Sequence, residues 1–358
     1  MDEQKAKQAI ESLGYEVNSL RLVPEGIKHY VFEFKSQNKL MFARFAKTDN
    51  LERDPVHGGA LSLEREAYLC SLVRNKAGLP APQTEGPFQF QDKRFLIAEA
   101  MPGIYWNKWL KNQNYSLNAY LRSLEFLGGS LAQAHKVVFS SFGNIMNEGV
   151  VEPEGIMNFA DRLNQIIGFK IAKEEEKNIL SKSERNRMKK YFARNLEGLS
   201  SGLKATPQKP SLLLTDIHPT NYSVDETGRP CGYFDLETCQ AGLPPLEFLA
   251  QQVTMFNFFD SDNYEKARDA FFRGYEQNGG AYEKDSQVNK KLESLLYIGH
   301  ALSCMTVYHG VRDGIRDEWS EQSKTMLFRA VEKEDIDYTK FSDMFRSKTK
   351  QPNKPNLS

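Results

Sequence analysis

Cysteine is scarce in this chain. Its 358 residues include four, Cys70, Cys231, Cys239 and Cys304. None forms a C-x-x-C pair or stands at zinc-finger spacing to histidine. That excludes a Cys/His metal domain and leaves free thiols in a reducing compartment as the expectation. An excess of one charge is missing too. Lys plus Arg number 47 and Asp plus Glu number 47, for a net charge of zero. General nucleic-acid binders carry a basic excess, so no nucleic-acid partner is expected, although a balanced total says nothing about a local charged site. Long apolar runs are absent as well. Mean hydropathy is -0.57, and no stretch approaches the roughly 20 apolar residues of a membrane span. The first residues, Met1 to Lys5, are polar and lead into a helix. No signal peptide and no membrane association are therefore expected, and the location is read as cytoplasmic. The sequons at Asn114 and Asn221 carry no weight without a secretory signal. There is no internal repeat.

What is present suffices for a sizeable core, with 40% hydrophobic residues. A single core rarely grows past roughly 250–300 residues, so two lobes are expected. The first is strand-rich. A helix carrying Ala6, Ala9, Ile10 and Leu13 on one face stops at Gly14. Strands follow at Ser19 to Val23, His29 to Phe34 and Leu40 to Phe45, then a helix from Ser62 to Lys76. A hairpin of Phe88 to Phe90 with Arg94 to Ala98 comes next. Met101-Pro102-Gly103 breaks the pattern as a hinge. Beyond it the chain is mostly helical, with Ser116 capping a stripe of Leu117, Leu121, Leu124, Leu127, Leu131 and Ala134. Helical pattern also fills Asn158 to Leu199 and Leu246 to about Phe345. The expected organisation is an N-lobe over 1–103, a C-lobe over 104–345 and a tail without order over 346–358.

Two short apolar strands in the C-lobe, Ser211 to Leu214 and Gly232 to Phe234, frame a polar loop. The loop reads Thr215-Asp216-Ile217-His218-Pro219-Thr220-Asn221, and Asp235-Leu236-Glu237 follows the second strand. An Asp, an Asn five positions later and a second Asp after a turn at Asp225-Glu226-Thr227-Gly228 suit phosphoryl transfer. That chemistry needs one carboxylate to orient and deprotonate a hydroxyl, and an oxygen cage for Mg²⁺ on nucleotide phosphates. Asp216 is the candidate for the first role, and Asn221 with Asp235 for the second. Such a fold also needs a strand cation paired with a helix carboxylate. Arg44 is the candidate cation, with Lys47 as competitor. Glu66 shares its face with Leu69, Cys70 and Val73, whereas Glu64 shares its face with Tyr68 and Ser71, so Glu66 is the inward partner.

These residues resemble the aminoglycoside phosphotransferase and choline kinase-like family, whose loop reads H-G-D-x-H-P-x-N before a D-x-E strand. Asp216, His218, Pro219, Asn221, Asp235 and Glu237 match. Arg65-Glu66 resembles the family's R-E helix, Leu131 to His135 its L-A-x-L-H helix, and Ala241 to Ala250 its G-x-P-x-x-D-L-A segment with Glu247 in place of Asp. The resemblance implies an α+β, bilobal protein-kinase-like fold and Mg²⁺-dependent transfer of the gamma-phosphate of ATP or GTP to a hydroxyl of a small metabolite or antibiotic. It places phosphates near the turn at Gly26 and near Arg44 with Glu66, and the purine on backbone groups from Glu99 to Met101. Leu214-Thr215 departs from the family's His-Gly, and Thr220 from its small residue.

His135 lies on an apolar stripe and reads as a satisfied core histidine. Phe256, Phe258, Phe259 and Tyr308 read as core, with acceptor contact as the alternative. Trp106 either lines the cleft or packs, and Asp260, Asp262 and Asp313 are candidates for a cationic acceptor. Two other functions stand beside the kinase. One is a nucleotide-binding pseudokinase, motivated by Leu214-Thr215. The other is a serine hydrolase, motivated by Gly198-Leu199-Ser200-Ser201-Gly202 and His57-Gly58-Gly59. It is disfavoured because a polar helix, not a buried strand, precedes Ser200; Gly198 and Gly202 read as a helix end.

Overall fold

Helix α1 (Glu3–Glu11) is capped by Asp2, whose carboxylate accepts from the Lys5 N–H at 2.9 Å, and it buries Ala6, Ala9 and Ile10. These residues cover one face of a five-stranded antiparallel sheet. The strands are β1 (Ser19–Val23), β2 (His29–Ser36), β3 (Lys39–Ala46), β4 (Thr84–Phe90) and β5 (Lys93–Glu99), in the order β1-β2-β3-β5-β4. Alternation puts Phe32, Phe34, Met41, Ala43, Phe45, Phe95 and Ile97 into the core under α1. Arg44 lies on the opposite face, toward helix α2 (Leu63–Asn75), which Ser62 caps. The structure is a computed structural model in which residues 1–23, 29–47, 62–204, 208–258, 261–283, 286–311, 318–334 and 336–348 are described.

The chain leaves β5 through Met101-Pro102-Gly103, where Gly103 takes φ 80, and enters a mostly helical region. The elements are β6 (Ile104–Tyr105), α3 (Trp106–Asn112), α4 (Leu117–Ala134), β7 (Gly143–Ile145) and β8 (Val151–Glu152). Then come α5 (Phe159–Lys177), α6 (Lys182–Lys204), β9 (Ser211–Leu213), β10 (Tyr222–Val224), β11 (Pro230–Tyr233) and β12 (Gln240–Gly242). Last are α7 (Pro244–Thr254), α8 (Tyr264–Gln277), α9 (Gln287–Tyr308), α10 (Trp319–Lys333) and α11 (Tyr338–Lys348). Strand-rich and helical regions thus follow one another as in the expected bilobal fold. Among the described residues, no helix is long and apolar enough to cross a membrane.

Three differences from expectation have clear causes. The strands framing the polar loop belong to separate small sheets, β8-β7-β12-β9 and β11-β10-β6. Their partners are two or three residues long, too short to show periodicity in sequence. Helix α6 does not end at Gly198 and Gly202. Both lie inside it, where α9 approaches so closely that a Cβ would sit 2.6 Å from Lys291 Nζ and 2.8 Å from Val288 Cγ2. Helix α11 runs to Lys348, three residues into the expected tail.

Helices α4 and α8 pack backbone to backbone. A Cβ on Gly128 would strike the Phe271 carbonyl oxygen, and one on Gly274 the Glu125 carbonyl oxygen. Trp106 is fully buried and donates Nε1–H to Ser123 Oγ at 2.9 Å, so it packs rather than lining the cleft.

Candidate active site

The Asp216 loop is held from behind by buried hydrogen bonds. β9 delivers the chain into the core, and the N–H groups of Leu214 and Thr215 both donate to Glu247 Oε1, at 3.0 and 3.2 Å. The other Glu247 oxygen lies 2.6 Å from His135 Nε2, and His135 Nδ1 lies 2.7 Å from the Tyr275 hydroxyl. His135 is therefore a satisfied core residue. One turn further along α7, Gln251 donates Nε2–H to the Ile217 carbonyl at 3.0 Å. The i, i+4 face of α7 thus fixes the loop on both sides of Asp216. Asn221 closes it from the front, donating Nδ2–H to the Asp216 carbonyl at 2.9 Å and standing 3.3 Å from Asp216 Oδ2. The Asn221 carbonyl accepts from the Phe234 N–H at 3.2 Å, which ties the loop to the strand ending at Asp235.

Asp225 organises the intervening turn by accepting from the N–H groups of Thr227 (2.8 Å) and Arg229 (3.1 Å), and Gly228 turns the chain at φ 88. The hairpin so made returns Asp235 to the cleft.

Arg44 is the hub of the N-lobe side. It pairs with Glu66, and its Nη2 lies 3.7 Å from Asp235 Oδ1 and 3.9 Å from Glu237 Oε2. Burial lowers the tendency of this guanidinium to keep its proton, but Glu66, Asp235 and Glu237 outweigh it and the net shift is upward. Burial pushes the Glu66 carboxyl up, against the opposing pull of Arg44. Glu64 instead pairs with Arg94, and Lys47 stacks on Tyr30 at 5.1 Å, so neither competes for the hub.

Asp216 is pushed from its ordinary 3.8 up to about 7. Burial is the main cause, with the Asp235 and Glu237 carboxylates adding to it. Its side chain keeps 51% of its surface open to the cleft, so water tempers the shift, and a cation there opposes it.

The hinge meets the C-lobe through the β10–β11 hairpin. Ser223 Oγ donates to the Pro102 carbonyl at 2.7 Å, and Cys231 Sγ donates to the same carbonyl at 3.2 Å. A Cβ at Gly232 would lie 2.5 Å from Met101 Cβ, so glycine lets Met101 rest on that strand. Glu99 and Ala100 have already spent their N–H groups, on the carbonyls of Gln83 (2.9 Å) and Leu40 (3.0 Å). Glu99 also pairs with Lys39 at 3.1 Å.

The structure therefore brings Arg44, Glu66, Asp235, Asp216 and Asn221 together, with Glu99 and Met101 at the hinge. Gly26, Phe259, Asp260, Asp313 and His57-Gly58-Gly59 lie outside the described residues. Asp262 is exposed on the 3₁₀ turn before α8. Phe256 and Phe258 are core, and Tyr308 packs edge-on to Trp319. Ser200 sits inside α6 with no strand before it, so it occupies no nucleophile elbow.

The donor set suits Mg²⁺. Asp235 and Asn221 offer hard oxygen ligands beside the exposed carboxylate of Asp216. Among the described residues no group of three or more His, Cys, Asp or Glu could hold a metal by itself.

Two features were not foreseen. Arg65 is fully buried and donates to three carbonyls: Ile145 (Nε, 2.7 Å), Glu237 (Nη1, 2.6 Å) and Cys239 (Nη2, 2.8 Å). Its signal was available, because Arg65 shares an i, i+4, i+7 stripe with the apolar Leu69 and Leu72. Thr215 adopts φ 58, a left-handed conformation where the resembled family has glycine. Its Oγ1 donates to the Thr238 carbonyl at 2.9 Å and lies 2.9 Å from Thr238 Oγ1.

A profile of the APH phosphotransferase enzyme family matches residues 19–285. No curated protein matches the chain. Solved structures share its fold at low identity. One is a thermostable mutant of aminoglycoside phosphotransferase APH(4)-Ia in a ternary complex with AMP-PNP and hygromycin B. It is 15% identical with a TM-score of 0.58, over 96% of this chain and 99% of that one. The GDP complex of an aminoglycoside 2'-phosphotransferase-IIIa mutant is 13% identical with a TM-score of 0.58, over 92% and 97%. A putative fructosamine-3-kinase from Haemophilus somnus 129PT is 14% identical with a TM-score of 0.57, over 89% and 95%.

Proposed function

Since this chain belongs to the phosphotransferase enzyme family, the profile covering well over half of it, we propose that it transfers the gamma-phosphate of ATP or GTP to a hydroxyl of a small molecule. The observation that carries this reading is one cluster. Asn221 stands 3.3 Å from the Asp216 carboxylate, and Arg44, paired with Glu66, stands 3.7 Å from Asp235. In this reading residues 1–103 form the nucleotide lobe and 104–345 the catalytic and acceptor lobe. The Met101 N–H and the Glu99 carbonyl meet the base, because the Glu99 and Ala100 amides are already engaged. Asp235 and Asn221 would hold Mg²⁺, which supplies charge neutralisation on the phosphates. Arg44, kept cationic and aimed by Glu66, faces the transferred group. Asp216 orients the acceptor hydroxyl and takes its proton. The bonds from Glu247, Gln251 and Asn221 fix the loop before substrate arrives.

A pseudokinase reading rests on Leu214-Thr215. The buried bonds of both residues to Glu247, and of Thr215 to Thr238, argue that the substitution preserves the loop. The test is a panel of aminoglycosides, macrolides, amino-alcohols, choline-like amines and sugars assayed for ADP or GDP release with Mg²⁺. At least one compound should be phosphorylated, and Asp216→Asn should abolish turnover while retaining nucleotide binding. Stabilisation by Mg-ATP or Mg-GTP without transfer to any acceptor would favour the pseudokinase, and no response to either nucleotide would refute both readings.

A further inference from the structure

Three consecutive carbonyls, those of Glu237, Thr238 and Cys239, are each taken by a side chain from elsewhere in the chain. Arg65 of α2 takes the first and third at 2.6 and 2.8 Å, and Thr215 of the Asp216 loop takes the second at 2.9 Å. Nothing in the helix requires Arg65 there. Its guanidinium is fully buried, which is costly unless its donors are satisfied. Nothing in the loop favours Thr215 either, since a β-branched residue at φ 58 is strained. Both costs are offset at one place, the segment that follows Asp235. The neighbour of Arg65 is Glu66, which pairs with Arg44. One turn of α2 therefore grips the strand cation with one residue and the carbonyl run with the next.

We propose that Arg65 and Thr215 are positioning residues which clamp the carbonyls of Glu237 to Cys239. Helix α2, the Asp216 loop and the Asp235–Glu237 carboxylates then move as one body, and the cleft is assembled before a nucleotide enters. The clamp is a property of the fold, and its effect on nucleotide rests on the phosphotransferase reading.

Hydrogen exchange on the whole chain without nucleotide tests the coupling. In Arg65→Lys, which cannot span both carbonyls, amides of α2 and of residues 235–239 should both exchange about tenfold faster or more, while α4 and α8 keep their rates. Acceleration of residues 235–239 with α2 unchanged, or no acceleration at all, overturns the proposal. Thr215 provides a second variant, since glycine adopts its φ of 58 without strain. Thr215→Gly relieves the backbone but removes the hydroxyl. It should melt no lower than wild type, yet bind ATP about tenfold more weakly with Mg²⁺ and within twofold of wild type in EDTA. Thr215→Ser should restore the Mg²⁺-dependent part. Equal Mg-ATP affinity in Thr215→Gly and wild type overturns the Thr215 half of the clamp. If wild type itself fails to bind Mg-ATP, the functional reading falls, and the exchange rates alone decide the clamp.

Discussion

Replacing Asp216 with Asn should abolish transfer and at the same time make the metal-free protein more stable above neutral pH. In the folded chain burial, with Asp235 and Glu237 beside it, pushes this carboxyl from 3.8 up to about 7. Between those values the folded chain holds a proton that the unfolded chain has lost. The contribution of Asp216 to stability is therefore present below about pH 4, fades as pH rises, and is gone above about 7. A gap of about three pH units at 1.36 kcal/mol each sets a ceiling of about 4 kcal/mol. Half of the side chain is open to water, so solvent screening reduces this to about 1–2 kcal/mol. Asn keeps a partner for Asn221 and carries no charge. In EDTA, Asp216→Asn should therefore unfold about 1–2 kcal/mol later than wild type at pH 8 and reach parity only at about pH 3, below the ordinary carboxylate value. Urea unfolding at the two pH values measures the difference, and thermal unfolding should show a Tm gain of about 1–3 °C at pH 8 in a chain of this size. A gain as large at about pH 3 as at pH 8, or no gain at pH 8, would refute the crowding of carboxylates around Asp216. The same shift predicts that kcat/KM rises with pH on an acid limb above the ordinary carboxylate range, moved downward by any cation that binds beside Asp235.

Arg44→Met leaves Glu66 without its partner in a buried site and should cost about 3 kcal/mol in urea unfolding, whereas Arg44→Lys should recover most of it. Glu247→Gln keeps one oxygen for Leu214 and Thr215 and should cost about 1 kcal/mol. Glu247→Ala leaves the Leu214 and Thr215 N–H groups and His135 Nε2 without their partner, and should cost about 3–5 kcal/mol while lowering kcat more than it raises KM. Gly274→Ala drives a methyl into the Glu125 carbonyl and should cost about 2–3 kcal/mol. Gly168→Ala, with nothing within 4 Å of its added Cβ, should instead stabilise α5 by about 0.5–1 kcal/mol, as differential calorimetry would show.

Much of the candidate site's geometry was legible because its residues are local in sequence. Asp216 and Asn221 share one loop, a tight turn returns Asp235, and a stripe on α2 separates Glu66 from Glu64. What escaped was long-range. Arg65 was visible as a cation on an apolar stripe, but its three carbonyl partners lie 80 to 174 positions away. The left-handed backbone of Thr215 contradicts the preference of a β-branched residue, and only the Thr238 and Glu247 contacts explain it. Strands β6, β7, β8 and β12 are too short to carry a pattern. The run through Gly198 and Gly202 looked like a helix end because local punctuation does not reveal that α9 needs the missing side chains.

The glycine seam between α4 and α8 bears on how this lobe can be re-engineered. With carbonyl oxygens occupying the space of a methyl at Gly128 and Gly274, neither helix can slip by a residue or rotate against the other. A library aimed at new acceptors gains nothing from substitutions along that seam, since each would be spent on folding. Diversity belongs instead at exposed positions of α8 such as Lys266, Glu276 and Gln277, where side chains change without shifting the frame that carries Tyr275, His135 and, through Glu247, the Asp216 loop.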